Sequence, residues 1–194
     1  CTFTNEERSV PACPAETLAY FKLEEAAGPY ADMFGGPDAT CTNCPTQTAA
    51  KVDFGQAFDG SNDEVNLADA SDLYDWSATD SFTIEYWMKK STACSGNEVI
   101  LGRDNGSGLH WWTGCDANGT VRFQLKDTSG SGIYIGGTGD VINDDVWHHL
   151  VFLRDESNNE NRIYVDGTET HQGTYNYLNG FASIVPLNIG YLNT

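Results

Sequence analysis

From Ser81 to Met88 the chain alternates strictly. Phe82, Ile84, Tyr86 and Met88 fall on one side; Thr83, Glu85 and Trp87 fall on the other. A period of two predicts a β-strand with one face turned to a core. Shorter stretches of the same kind recur: Leu18–Leu23, Glu64–Leu67, Glu98–Leu101, Leu109–Trp112, Val121–Leu125, Ile133–Ile135, Trp147–Leu153, Arg162–Val165 and Leu187–Tyr191. Turn chemistry separates them. Asp104-Asn-Gly-Ser-Gly108 predicts a hairpin between residues 98–101 and 109–112, and Asn118-Gly119 predicts the next turn. A polar loop from Asp155 to Asn161 pairs the strand at Trp147 with the one at Arg162, which ends in Val165-Asp-Gly167. No stretch keeps helical periodicity over three turns. Many short strands with regular turns predict an antiparallel sandwich or barrel.

Composition narrows this picture. The chain has 194 residues, the size of one large all-β domain. Residues 1–16 are polar, with Pro11, Pro14 and two cysteines, and read as a disulfide-bearing linker or cap; residues 17–194 read as a single domain. The formal charge is −18 at pH 7. Such a surface repels nucleic acid and anionic lipid and favours divalent cations. It also serves solubility in a salty medium, where screening makes it tolerable. No apolar run is long enough to span a bilayer, and no secretory leader is visible, so membrane insertion is not expected.

The six cysteines are Cys1, Cys13, Cys41, Cys44, Cys94 and Cys115. An even number in a turn-rich acidic chain predicts disulfides and an extracellular or cell-surface setting. Zinc is the weaker reading, because Cys41-Thr-Asn-Cys44 has no second pair at finger-like spacing. The most local pairing joins Cys94 to Cys115 across the open end of the predicted hairpin, Cys41 to Cys44, and Cys1 to Cys13. Cys1 reads as a fragment boundary, since a lipid-modified Cys1 would leave an odd number of thiols.

Several motifs recur in a telling order: Tyr20-Phe-Lys-Leu-Glu-Glu25, Gly28, Asp32 ahead of Gly35-Gly36, Gly55-Gln-Ala-Phe-Asp-Gly60 leading into Val65-Asn-Leu67, Phe82-Thr-Ile-Glu-Tyr-Trp87, Trp147-His-His-Leu-Val151 and Ile163-Tyr-Val-Asp-Gly167. Together they resemble the laminin-G-like, concanavalin-A-like jelly roll, and more distantly the pentraxins. The resemblance implies an all-β, two-sheet antiparallel sandwich. Phe58 and Trp87 are then expected as large apolar groups of its core. Members of that family usually close with one more strand beside the first. This chain reaches Thr194 without it, so a sandwich lacking its final strand is expected, with an edge open to self-association or strand addition. The resemblance also implies a weak calcium site near Asp32 and Asp59, in the range of about 10⁻⁴–10⁻³ M. The competing reading makes both aspartates turn residues bonded to their own backbone.

Candidate ligand chemistry centres on His110-Trp111-Trp112. Neighbours on a strand point to opposite faces, so one tryptophan is expected in the core and the other is placed to stack on a sugar ring or to pack under a loop. His148 and His149 point apart for the same reason and cannot chelate together. Asp104-Asn-Gly and Asp116-Ala-Asn-Gly read as hairpin turns, because they lack the spacing of an EF-hand. Asn105-Gly-Ser and Asn118-Gly-Thr are glycosylation sequons. Catalysis is disfavoured. No strand carries paired carboxylates for a glycoside hydrolase, Glu85 stands alone, and the charge is wrong for a polysaccharide lyase. Two readings remain: an extracellular carbohydrate-binding or adhesion module, with calcium as a weak cofactor and glycans as partners, or a structural module of a larger surface protein or filament whose partners are other surface proteins.

Overall fold

A computed structural model describes residues 15–69, 72–104 and 110–190. Twelve strands are formed among them: β1 (Thr46–Ala49), β2 (Phe54–Ala57), β3 (Val65–Leu67), β4 (Phe82–Lys89), β5 (Glu98–Asp104), β6 (His110–Cys115), β7 (Thr120–Lys126), β8 (Gly132–Val141), β9 (Trp147–Asp155), β10 (Glu160–Val165), β11 (Thr168–Thr174) and β12 (Leu187–Ile189). Six build one sheet in the order β3-β12-β5-β6-β7-β8, and four build the other in the order β11-β10-β9-β4. β1 and β2 form a separate hairpin. Every pairing is antiparallel. The expected two-sheet antiparallel sandwich is the fold, and no helix among the described residues is long and apolar enough to cross a membrane.

The core follows from the alternation. Along β9 every second residue from His148 to Arg154 is buried and the ones between are half-exposed. Leu150, Phe152 and Ile163 of the four-stranded sheet meet Trp111, Phe123 and Leu125 of the six-stranded one. Phe123 and Phe152 touch edge to face at 5.6 Å, and the Tyr86 and Phe152 rings lie 5.7 Å apart. Offset and edge contacts of this kind add to the burial of the rings themselves. Tyr86 is a polar rivet between the sheets: its hydroxyl shares a 2.9 Å hydrogen bond with Thr113, and burial pushes its phenol well above its ordinary pKa. At one end the core closes with Trp76 stacked on Phe82 at 3.9 Å and Phe181 set edge-on against Phe82.

The stretch Leu18–Leu23 departs from its expected strand. It makes only one isolated bridge, Phe21 to Asp32. Its backbone groups are satisfied by other means. The Tyr20 N–H donates to the Asp32 carboxylate, the Tyr20 carbonyl accepts from Met33 N–H, and Gln56 Nε2 donates to the Leu23 and Glu25 carbonyls. Leu23 has φ of +57°, which breaks an extended run. Conversely, β1 and β11 form from the polar stretches TQTA and TETHQGT, which show no apolar alternation to announce them. Residues 1–14 of the expected cap, the Cys1–Cys13 pairing and the end of the chain where a closing strand was expected to be missing lie outside the described residues.

Candidate functional site

The sites anticipated at tryptophan pairs and aspartates resolve first. Trp111 is fully buried and Trp112 is 4% exposed, so neither offers a ring face for a sugar. Trp111 packs between the sheets, 5.5 Å from Trp76. Trp112 does point to the opposite face, but that face is covered. Its ring lies 5.6 Å from Tyr134, and its own Cβ would sit 2.8 Å from a side chain at Gly102. His110 opens the same strand, paired with Asp104. The expected sugar platform is therefore corrected at Trp111 and Trp112, which the large sheet hides; the His110 side chain lies outside the described residues.

Asp32 and Asp59 behave as turn residues. Asp32 Oδ1 accepts the N–H groups of Tyr20 and Phe34, and Oδ2 accepts that of Gly36. Asp59 Oδ1 accepts from Ser61 and Asn62. Among the described residues no group of three or more metal-ligating side chains gathers at either aspartate; the one such group is Cys94, Glu98 and Cys115. Those two cysteines are bonded to each other, as are Cys41 and Cys44. Asp116 likewise shapes its hairpin, accepting from Asn118, Thr120 and Arg122.

A cleft of about 660 Å³ opens at the end of the sandwich where Phe82 begins β4. It is lined by Asp69, Asp72, Asp75, Arg103 and the stretch Ala182–Pro186. Arg103 is 1% exposed and spends its guanidinium inside the protein. It donates to Asp69 at 2.7 Å, Asp75 at 2.6 Å and the carbonyls of Tyr74, Ser183 and Val185. Five contacts exhaust the five N–H groups of an arginine. Burial first, then the carboxylates of Asp32 and Asp69, push the nearby Tyr74 phenol up to about 12. This cleft is a brace that ties two long loops to β5, with Arg103 engaged by Asp69 and Asp75.

The outer face of the four-stranded sheet is different. Thr83, Glu85, Trp87 and Lys89 of β4 are all exposed. Trp87 was expected in the core; it is 47% exposed and stands on the solvent side. Its cross-strand partner is His149, whose ring lies 5.1 Å away at a tilt of 31°. His149 Nε2 is 3.5 Å from a Glu85 carboxylate oxygen. From the other side the Lys51 ammonium stands 5.0 Å from the centre of the Trp87 ring. Lys51 sits in the turn of the β1–β2 hairpin, which closes through Ala50 N–H to the Asp53 carbonyl. Gln47 and Gln56 hook that hairpin to the carbonyls of Leu23, Glu24 and Glu25. The result is an exposed indole with a cation over its ring, a tilted imidazole beside it and a carboxylate against that imidazole.

His148 fixes the strand beneath this platform. It points inward, opposite to His149 as alternation requires. Its Nδ1 lies 2.8 Å from Asp166 and its Nε2 3.0 Å from Asp144. Ionised carboxylates only accept, so both ring nitrogens donate and the ring is the imidazolium. Burial opposes that charge, but the hydrogen bonds and attraction of Asp166 and Asp144 outweigh it and raise the His148 pKa. The same Asp166 accepts the His149 backbone N–H at 2.9 Å, so the clamp sets the register of the residue facing Trp87.

Two facing antiparallel sheets of this order make a jelly-roll sandwich. The chain belongs to the concanavalin A-like lectin/glucanases superfamily, whose laminin-G model matches residues 59–194. Among solved structures it is similar to the binding domain of Paraclostridial Mosquitocidal Protein 1, with a TM-score of 0.74 at 14% identity over 89% of this chain and 45% of that one. It is similar to the receptor binding domain of botulinum neurotoxin D, with a TM-score of 0.63 at 15% identity over 89% of this chain and 44% of that one. It is also similar to domain 4 of AbnA, an extracellular GH43 arabinanase from Geobacillus stearothermophilus in complex with arabinotriose, with a TM-score of 0.58 at 17% identity over 82% and 76% of the two chains. The chain spans less than half the length of the two toxin domains, and these likenesses establish the fold. No curated protein sequence matches it.

Proposed function

We propose that this chain is an extracellular, non-enzymatic carbohydrate-binding module that holds its glycan on the outer face of the four-stranded sheet. The observation that carries this reading is Trp87. A half-exposed indole on the outer face of the four-stranded sheet, with Lys51 over its ring and the Glu85-paired His149 beside it, has the form of a sugar platform. The ring stacks on the apolar face of a sugar while these polar groups take its hydroxyls. The lectin-containing superfamily and the arabinotriose bound to a domain of the same fold support the reading. The two disulfides support an extracellular setting.

The experiment is a glycan-array screen of the wild type and Trp87→Ala, each with millimolar calcium and with EDTA. Selective binding that Trp87→Ala loses is the expected result. Loss in EDTA as well would add calcium dependence, with the Asp32 and Asp59 turns as the places to look. Wild-type silence in both conditions would overturn the reading and shift weight to a structural module of a larger surface assembly. Release of reducing ends from a bound glycan would contradict the non-enzymatic part.

A further inference from the structure

We infer, resting on the Trp87 platform, that its ligand class is acidic oligosaccharides with sparse carboxylates, and that Lys51 is the residue that selects them. The chain carries 10 basic against 28 acidic side chains, so its cations are scarce. Most described ones are neutralised internally. Lys89 pairs with Asp145, Lys90 with Glu98, Arg103 with Asp69 and Asp75, Arg122 with Asp116, and Arg162 with Glu160. Lys51 stands apart. Among the described residues its ammonium makes no ion pair and rests over the Trp87 ring at 5.0 Å.

A cation over an aromatic face is attracted to the ring, yet it keeps its full charge. The neighbouring carboxylate, Glu85, is turned to His149. A sugar stacked on the exposed part of the indole therefore brings its ring substituents within reach of the Lys51 ammonium. A carboxylate there forms a charge-assisted hydrogen bond, which is stronger than one to a neutral hydroxyl. Lys51 lies at a turn tip and carries a flexible stem, so it can follow that group without moving a strand.

The rest of the surface limits how much charge the ligand can bear. With a net −18, a polyanion is repelled everywhere except at this spot, and screening at 0.1 M salt leaves that repulsion effective over about 10 Å. One carboxylate on an otherwise neutral oligosaccharide gains the Lys51 contact and avoids most of the repulsion. A densely charged chain does not.

The test uses a matched pair: a xylo-oligosaccharide bearing one glucuronic acid, and the same compound with its carboxyl reduced to the alcohol. Both are titrated calorimetrically against the wild type, Lys51→Met and Trp87→Ala, and polygalacturonate is added as a dense polyanion. The acidic form should bind the wild type at least tenfold more tightly than the reduced form and more tightly than polygalacturonate. Lys51→Met should weaken the acidic form at least tenfold more than the reduced form, so that the preference disappears. Equal binding of the two forms by the wild type, or an acid preference that survives Lys51→Met, would overturn the inference. Undiminished binding by Trp87→Ala, or no binding of either form or of any array glycan by the wild type, would instead sink the platform reading on which it rests.

Discussion

Each sheet carries a tryptophan on its outer face, and the two have opposite fates. Trp112 of β6 is 4% exposed and packed against Tyr134; Trp87 of β4 is 47% exposed with Lys51 at its ring. Both sit on alternating strands and both point away from the inter-sheet core. What differs is the cover. Asn188 and Gly102 share the row of Trp112 on the large sheet, and Asn188 is 2% exposed, so the row is closed from Asn188 to Trp112 and opens only at Tyr134, which is 40% exposed. Every outward residue of β4 is exposed. The same residue type thus serves stability on one sheet and is free for recognition on the other.

The sharpest way to break this contrast is truncation. Trp112→Ala should cost about 3–5 kcal/mol in urea unfolding, the usual penalty for emptying a buried aromatic site. A loss below about 1 kcal/mol would show that the large sheet is open after all. Next comes the brace on the cleft. Asp69→Asn removes one carboxylate from a guanidinium that is 1% exposed, and breaking a buried pair of this kind costs about 3 kcal/mol. Glycan binding by the folded fraction should be unchanged, because the brace stands at the far end of β4 from Trp87. A variant that stays stable but loses binding would relocate the site to the cleft.

A smaller effect is tied to pH. The His148 pKa is raised and those of Asp144 and Asp166 are lowered by their mutual contacts. The histidine contribution is complete below its unfolded pKa of about 6.5 and is lost as pH rises through the raised folded value. The aspartate contribution is complete above about 3.9 and is lost as pH falls through the lowered folded values. The clamp is therefore fully stabilising between about pH 4 and 6.5. The melting temperature of the wild type minus that of His148→Gln should be greatest in that window and shrink on both sides. A difference that is flat from pH 5 to 9 would show the ring is not held as the imidazolium. The smallest effect belongs to Trp87→Ala, which should change unfolding stability by no more than about 0.5 kcal/mol, as substitutions at exposed sites do. A loss comparable to that of Trp112→Ala would erase the distinction between the sheets.

How far the chain could be read in advance follows the same division. Alternation from Phe82 to Met88 and from Trp147 to Leu153 correctly sorted each strand into two faces, because side-chain direction is local. The β5–β6 pairing, the Asn118-Gly119 turn that follows it and the Cys94–Cys115 bond were legible from turn chemistry and proximity. Which face the second layer covers is not local, so Trp87 was expected in the core, and the second tryptophan of the 111–112 pair was left open between a sugar platform and packing under a loop. The Leu18–Leu23 run was misread for a related reason. Its pattern is that of a strand, but Gln56, more than thirty residues later, captures its carbonyls. Arg103 reaches Ser183 and Val185, some eighty residues on, and no motif in either stretch announces the contact. One usable signal existed for the platform: Trp87 shares its strand face with Thr83 and Glu85, and two polar companions mark a solvent side.

The most direct test of the account is the indole N–H spectrum of ¹⁵N-tryptophan-labelled protein during titration with an array-selected glycan. Five tryptophans report separately, and Trp87 is the one expected to move, with dose-dependent shifts that leave Trp76, Trp111 and Trp112 in place. Shifts concentrated at Trp111, Trp112 or Trp76, with Trp87 unmoved, would place the ligand elsewhere and contradict the account.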